Sequence, residues 1–582
     1  MTDERRRQNV THRLTGPGSP FELVEANIEG IACRVFRRGP RTLADVYRKA
    51  EASARCLYLV TDHCQVTCDE ILRGANALGR ALTNRLGAQV GTRVGIILRN
   101  RPEWPIAFIA ATSIGAVATA IHRQQAAAEL IAALDLAQCS VVIADEHFAR
   151  ELLELGDRRP VIVARDFASK GPAPTNWIFF DTLDTTTAAG SRATVSIDPE
   201  QEALIAFTSG SSSRAKGVVL THRGIVTGMM NIMLGGAMSG MQTDRRMLET
   251  DVATRAAQPA SFVAAPFSHV SGYFNLLLMA YMAGKVVTLP SWNPAAALEL
   301  VCREQVRSLA GATPAMIREF LGAGLTHRDM RAFSAIGIHG SALPASLISE
   351  IQAAVPGVTI GTGYGLTETN GSVCVASGSQ FLERPTTSGQ PLPSVELRIV
   401  RDDGRDAGCA VGEIWVRGAM LMRGYCAAPE ATAEVLHGGW FHTGDLGRLD
   451  AQGFLHVVDR RTNSIVCAGR CLCAGEVEHV LMGHPAVAEA AAVGVEHAPG
   501  DQRLVLCIVP RAGLGFAEAE IRRHVAAEGA LQGIEAQLVR LESLPRTPSG
   551  KIDRLELRRR VITACAERTS TRPVLENRDA HE

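Results

Sequence analysis

Residues 204–217 read LIAFTSGSSSRAKG. Four apolar residues in a row, the length of a short buried strand, open directly into a turn of Ser, Thr and Gly that ends in Lys216-Gly217. Such a turn offers backbone N–H groups, several hydroxyls and one ammonium to a single anion, which is the chemistry of a phosphate cradle. Taken alone it reads equally well as a polar surface loop. What decides between these readings is the rest of the chain.

Outward from the cradle, the apolar pattern has the rhythm of a parallel, doubly wound sheet. Upstream, residues 94–98, 117–121, 141–144 and 161–164 read as buried strands, alternating with helical stretches from Thr42 onward and over 103–114. Residues 21–36 read as an accessory strand pair behind a polar leader. The Gly, Pro, Ser and Thr of 168–199 read as a long surface connection. Downstream, 285–289, 309–312, 335–338 and 358–360 repeat the pattern, and ligands in such sheets sit beyond the carboxyl ends of the strands. Past Gly389 shorter runs at 395–400 and 413–416, separated by Asp-Gly and Arg-Gly turns, predict a small antiparallel barrel. After Arg460 a helix over 476–482, strands at 490–494 and 504–509 and a helix over 517–527 predict a compact α+β unit.

Composition narrows the function classes. A chain of 582 residues exceeds one hydrophobic core, so two or more domains are expected. Sixty Lys and Arg balance sixty Asp and Glu, which leaves no basic field for a nucleic acid partner. The charged opening MTDERRRQNVTHR does not resemble a secretory leader, and the longest apolar run, 274–283, is too short to span a bilayer. Fourteen cysteines scattered along the chain read as free thiols of a reducing cytoplasm. The clusters His63, Cys64, Cys68 and Cys467, Cys471, Cys473 lack a second pair at zinc-like spacing.

Six strings then carry a specific resemblance: TSGSSSRAKG at 208, YGLTE at 364, GEIWVRG at 412, WFHTGDLG at 440, DRRTNSI at 459 and PRTPSGKIDR at 545. In this order the chain, over about residues 94–554, resembles the AMP-forming adenylating superfamily of acyl-CoA synthetases, aryl-CoA ligases, beetle luciferases and peptide-synthetase adenylation domains. The resemblance implies an α/β fold: a large N-terminal domain of doubly wound sheets with the small barrel, then a small mobile α+β domain. Boundaries follow as 1–459, a hinge at 460–463, the mobile domain at 464–560 and a tail at 561–582.

It also implies roles. Thr208, Ser209, Gly210, Ser211, Ser212 and Lys216 would hold the leaving phosphates of ATP. Tyr364 with Gly365 resembles the adenine-stacking position, and Gly340, Ser341 and Ala342 would present backbone groups to the base edge. Thr367 and Glu368 resemble the pair at the α-phosphate and magnesium, with Thr208 a second oxygen near the metal. Asp445 resembles the ribose carboxylate, and Arg460 would reach the ribose or α-phosphate. Lys551 resembles the lysine that bridges carboxylate and α-phosphate, while Gly469 resembles the glycine that leaves room for the pantetheine arm. The acid would lie near His269, Tyr273, Phe274, Gly363 and Leu366.

The expected reaction is acid plus ATP to acyl-AMP, then transfer to coenzyme A, with ATP, Mg2+ and coenzyme A as cofactors and an apolar carboxylic acid as substrate. Too few residues follow Arg554 for a carrier domain, which favours free coenzyme A. An adenylating enzyme with a carrier-protein or oxidative second step, and a catalytically weak acyl-nucleotide-binding protein, are the alternatives; a homodimer stays open. Ser213 and Ala215 stand where the family has glycine and proline, Thr462 where lysine or aspartate is common, and Ala474 where proline is usual.

Overall fold

The structure is a computed structural model and describes residues 3–122, 125–165, 174, 177–186, 195–208, 216–242, 258–325, 330–339, 343, 345–467, 470–498, 501–511, 513–527, 531, 534–546 and 552–570. Its contacts divide the chain into two units. The first comprises Met1–Ala410, Ile414–Thr443 and Leu449–His456, and the second Val411–Glu413, Gly444–Arg448 and Val457–Glu582.

Runs such as Val141–Asp145, buried at every position, form strands covered on both faces, where alternation between polar and apolar is lost. Among the described residues they assemble an eight-stranded sheet in the order Gly424–Tyr425, Lys216–Thr221, Glu202–Thr208, Val117–Ala120, Arg93–Ile97, Val141–Asp145, Val161–Ala164, Trp177–Phe179. The strands from Glu202–Thr208 to Trp177–Phe179 run parallel, each to its neighbour. The last of them interrupts the stretch expected as a surface connection. Three residues, Trp177, Ile178 and Phe179, suffice there because an edge strand needs partners on one side only.

A nine-stranded sheet follows in the order Gln390–Pro391, Gly371–Ser377, Thr359–Leu366, Ala335–His339, Ser308–Ala312, Ala260–Val263, Lys285–Val287, Leu57–Val60, Gln65–Thr67. The strands Leu57–Val60 and Ala260–Val263 did not register in the sequence pattern, because each offers only four residues and one carries a buried serine, Ser261. The two sheets are joined at Asn100, just past the end of strand Arg93–Ile97. Its buried amide donates to Ala265 O (3.0 Å) and Thr288 Oγ1 (3.1 Å) and accepts from Phe267 N (2.8 Å). All its polar capacity used here is spent across the inter-sheet seam, which sets the turn that leads to His269.

Helix ends follow their caps. Thr67 N donates to Glu70 Oε2 (2.8 Å) while Thr67 Oγ1 accepts from Glu70 N (3.3 Å), a reciprocal box that starts helix Cys68–Asn84. The polar leader is not featureless: Asp3–Thr15 is helical, with Val10 and Leu14 buried one turn apart, and Arg7 reaches Pro391 O (3.3 Å). The strand pair expected over 21–36 forms as Leu23–Ile28 against Ile31–Phe36.

A five-stranded sheet links Glu396–Val400, Gly412–Arg417, Trp440–Leu449 and Leu436–His437 in that order, with Leu455–Arg460 pairing Trp440–Leu449. The second unit itself is a mixed α+β body. Val487–Ala498, Asp501–Pro510 and Ala536–Arg540 form a three-stranded sheet, packed by helices Ala474–Met482, Glu518–Ala527 and Arg554–Ser570. No helix of the described residues is long and apolar enough to cross a membrane.

Candidate active site

The flanks of the Ser- and Gly-rich stretch are two paired strands. Strand Glu202–Thr208 turns back antiparallel as Lys216–Thr221, so Thr208 and Lys216 face each other across the pair. Ser209, Gly210, Ser211, Ser212, Ser213 and Ala215 lie outside the described residues, between flanks that the sheet holds in register. Thr208 and Lys216 are both half-buried at this mouth.

Strand Gly424–Tyr425 adds to the same hairpin, with Val218 opposite Tyr425 and Val219 opposite Gly424. This brings Tyr425 under Lys216, whose Nζ stands 4.7 Å from the ring centroid. The phenol then donates to Glu368 Oε1 at 2.9 Å. Lys216, Tyr425 and Glu368 therefore form one assembled group drawn from three distant stretches. Tyr425 had no place in the sequence reading; its only signal was position in a short Arg-Gly-Tyr run after GEIWVRG.

Glu368 is carried by a tight turn whose geometry the sequence dictates. Residues Thr367–Thr369 form one turn of 3-10 helix between strands Thr359–Leu366 and Gly371–Ser377. Thr369 is buried, and its hydroxyl accepts from Leu366 N (2.9 Å) and lies 2.8 Å from Gly371 O. Asn370 closes the turn in the left-handed region at φ 47°, a conformation Asn tolerates better than most residues, and donates from Nδ2 to Met420 O (2.8 Å). Gly365 admits no side chain: a Cβ there would lie 1.9 Å from Gly371 O. Tyr364, 8% exposed, and Gly363, opposite His339, precede it on the same strand. Gly340, Ser341 and Ala342 lie outside the described residues.

His269 caps helix Val270–Tyr281: its Nδ1 accepts from Ser271 N (3.3 Å) and lies 2.8 Å from Ser271 Oγ. Phe274 is buried with its ring edge 3.1 Å from where a Cβ on Gly371 would stand. Tyr273 is fully buried, its ring centroid 4.7 Å from that of Phe274 and 6.4 Å from that of Phe108. Its hydroxyl has no hydrogen-bond partner among the described residues, and burial holds its pKa far above the usual phenol value.

The second unit carries the other candidates. Asp445, 4% exposed, accepts from Arg460 Nε at 2.8 Å, so these two expected site residues are already in contact. The Thr-Gly-Asp turn is held by Glu413, whose Oε1 accepts from Gly444 N (3.0 Å). Asp459 anchors the stretch that follows, accepting from Arg460 N (2.7 Å), Asn463 Nδ2 (3.0 Å) and Gly475 N (2.8 Å). Thr462 lies in the 3-10 turn Arg461–Asn463. Gly469 and Lys551 lie outside the described residues. The chain either side of 547–551 is drawn together by the bridge Arg546↔Ile552, and Arg554 is clamped by Glu478 through bonds of 2.6 and 2.8 Å.

The AMP-binding enzyme family model matches residues 44–426, and the model of its C-terminal domain matches 476–551. The chain belongs to the AMP-binding enzyme family. Among curated members, 4-coumarate–CoA ligase 2 of Oryza sativa subsp. japonica is 29% identical over 507 residues, covering 83% of this chain and 86% of that protein. The 4-coumarate–CoA ligase 1 of Narcissus pseudonarcissus is 26% identical, covering 86% and 89%. Among solved AMP-binding enzymes, the o-succinylbenzoate CoA synthetase of Bacillus subtilis, in complex with its acyl-adenylate intermediate, is 25% identical with a TM-score of 0.73. That match covers 88% of this chain and 97% of that one. An amide bond synthetase of Marinactinospora thermotolerans is also 25% identical, with a TM-score of 0.75 over 89% and 99%. The expectations of an adenylating-superfamily enzyme, and of a large domain of sheets followed by a smaller one, hold.

Proposed function

We propose that this AMP-binding enzyme is an acid–thiol ligase that activates an apolar carboxylic acid as its acyl adenylate and passes the acyl group to coenzyme A. The observation that carries the reading is the assembled group of Lys216, Tyr425 and Glu368 at the mouth of the 208–216 hairpin. A cation and a hard carboxylate on one site match the two demands of pyrophosphate departure: charge neutralisation at the phosphates and a ligand for magnesium. The donor set fits that ion. Glu368 is half-exposed, Tyr425 engages one of its oxygens, and the other is left for a metal that keeps much of its own water. When bound, magnesium would supply charge neutralisation on the phosphates.

In this reading Thr208 and Lys216, with the hydroxyls and amides of 209–212, hold the phosphates, and Thr367 meets the α-phosphate. Tyr364 stacks on adenine beside Gly365, with Gly340, Ser341 and Ala342 at the base edge. Asp445 accepts the ribose hydroxyls, and Arg460, already bonded to it, adds a positive charge. Lys551 offsets charge that builds as the acyl–phosphate bond forms, and Gly469 leaves space for the thiol arm in the second half-reaction. The acid lies near His269, Phe274, Gly363 and Leu366, with Tyr273 packed behind Phe274. A hinge at 460–463 lets one small domain serve both steps.

The test is acid-dependent exchange of pyrophosphate into ATP over a panel of aryl and aliphatic acids, followed by coenzyme A, a carrier protein or an amine as acceptor. Exchange with thioester formation supports the ligase. Exchange with turnover only on a carrier or an amine would replace the acceptor, and nucleotide binding without exchange would leave a binding protein.

A further inference from the structure

Lys216 and Glu368 carry opposite charges beside one another yet form no ion pair among the described residues; a tyrosine stands between them. The ring of Tyr425 presents its face to the ammonium at 4.7 Å, inside the range of a cation–π contact, while its hydroxyl donates to Glu368 Oε1 at 2.9 Å. A direct Lys–Glu pair would have to be broken before a phosphate or a metal could bind. A phenol wedge meets both charges without neutralising either.

The backbone around Tyr425 is built to hold this wedge still. On one side Cys426 N donates to Gly217 O (2.7 Å) and Arg423 N to Val219 O (2.9 Å), which ties the segment to the phosphate hairpin. On the other, Met422 N donates to Glu368 O (2.8 Å) and Asn370 Nδ2 to Met420 O (2.8 Å), which ties it to the carboxylate turn. Tyr425 N is itself fixed to Thr432 Oγ1 (2.9 Å) of helix Pro429–Val435. Residues 420–426 thus strap two strand ends from different sheets together.

We propose that Tyr425 is a positioning residue that sets the spacing between the phosphate lysine and the metal carboxylate, its ring acting on Lys216 and its hydroxyl on one oxygen of Glu368. The inference rests on the ligase reading for the roles of those two residues. The two halves of the side chain separate by substitution. Tyr425→Phe keeps the ring and deletes the bond to Glu368; Tyr425→Leu deletes both.

The experiment measures binding rather than turnover. Metal-free ATP affinity is read by titration calorimetry in EDTA, and Mn2+ affinity of the ATP-saturated protein by electron paramagnetic resonance, with thermal melting of each variant alongside. Losing a hydrogen bond to a charged group predicts Mn2+ binding weaker by about 10-fold in Tyr425→Phe, with metal-free ATP affinity unchanged. Tyr425→Leu should show the same loss for Mn2+ and a further drop of about 3-fold in metal-free ATP affinity. Wild-type Mn2+ affinity in Tyr425→Phe, or equal losses of both ligands in both variants together with lowered melting, would overturn the assignment. A wild-type protein that binds no Mn2+ with ATP would overturn the ligase reading and this inference with it.

Discussion

Acidification should destabilise the first unit through one buried histidine. His222 opens helix His222–Gln242 directly after the phosphate hairpin and is fully buried. Its Nδ1 accepts from Leu43 N (3.4 Å), and its Nε2 has no hydrogen-bond partner among the described residues. Burial pushes its pKa down from 6.5 to about 4. The folded state therefore holds the ring neutral, and the unfolded chain binds the proton first. Stability from this group is complete above pH 6.5 and is lost as pH falls toward 4. Linkage gives a loss of about 2 kcal/mol between pH 7.5 and 5, and about 3 kcal/mol by pH 4. Carboxylates titrate over part of this window, so the comparison needs a variant: His222→Asn keeps an acceptor for Leu43 N and removes the titration. Urea unfolding followed by tryptophan fluorescence reports the first unit alone, because all five tryptophans (Trp104, Trp177, Trp292, Trp415, Trp440) lie in it. The wild type's advantage over the variant should shrink by about 2 kcal/mol between pH 7.5 and 5. Parallel stability profiles for the two proteins would refute the reasoning.

Two substitutions probe the carboxylate turn. Glu368→Gln keeps the side chain's shape but removes the charge, so pyrophosphate exchange should fall by about 100-fold or more and its dependence on magnesium should flatten; measuring rate against magnesium concentration checks this. Gly365→Ala places a methyl group 1.9 Å from Gly371 O, which backbone cannot yield cheaply. Nucleotide binding by calorimetry should be abolished while the second unit, probed by its own amide exchange protection, stays intact.

The strands that read clearly in the sequence are those buried on both faces, such as 141–144 and 161–164, where the apolar run is the strand. The ones that escaped it, Leu57–Val60 and Ala260–Val263, are four-residue pieces: Leu57–Val60 pairs on one side with Lys285–Val287, more than two hundred positions away, and Ala260–Val263 is completed by strands 25 and 47 positions on, a tertiary fact with little local trace. Helix Asp3–Thr15 reads in sequence as a polar leader because, among its described side chains, Val10 and Leu14 are the buried apolar ones, a stripe too narrow to show within a charged segment. Site legibility divides in the same way. Thr208, Lys216, Tyr364, Glu368, Asp445 and Arg460 sit in strings dense with Gly, Ser or charge, so the roles proposed for them have a trace in one dimension. Tyr425 and Glu413 stand out only through what they touch, a carboxylate 57 positions away and a turn 31 positions away, and the short strings around them do not show those contacts. Tyr273 shows the reverse: an aromatic beside His269 reads as pocket lining, while the helix turns it fully into the core.

In the proposed mechanism one chain runs two half-reactions with different residues of its second unit. In that mechanism Lys551→Ala removes a cation that acts only in adenylation, at a typical cost of ~3 to 4 kcal/mol, or about 100- to 1000-fold in that step. The decisive measurement gives this variant, a variant with Trp in place of Gly469, and the wild type two separate tasks: acid-dependent pyrophosphate exchange, and thioester formation from synthetic acyl-AMP plus coenzyme A. Lys551→Ala is expected to lose exchange yet make thioester at a near-normal rate, and Gly469→Trp to do the reverse. Equal loss of both half-reactions in both variants would contradict it and require a single fixed site.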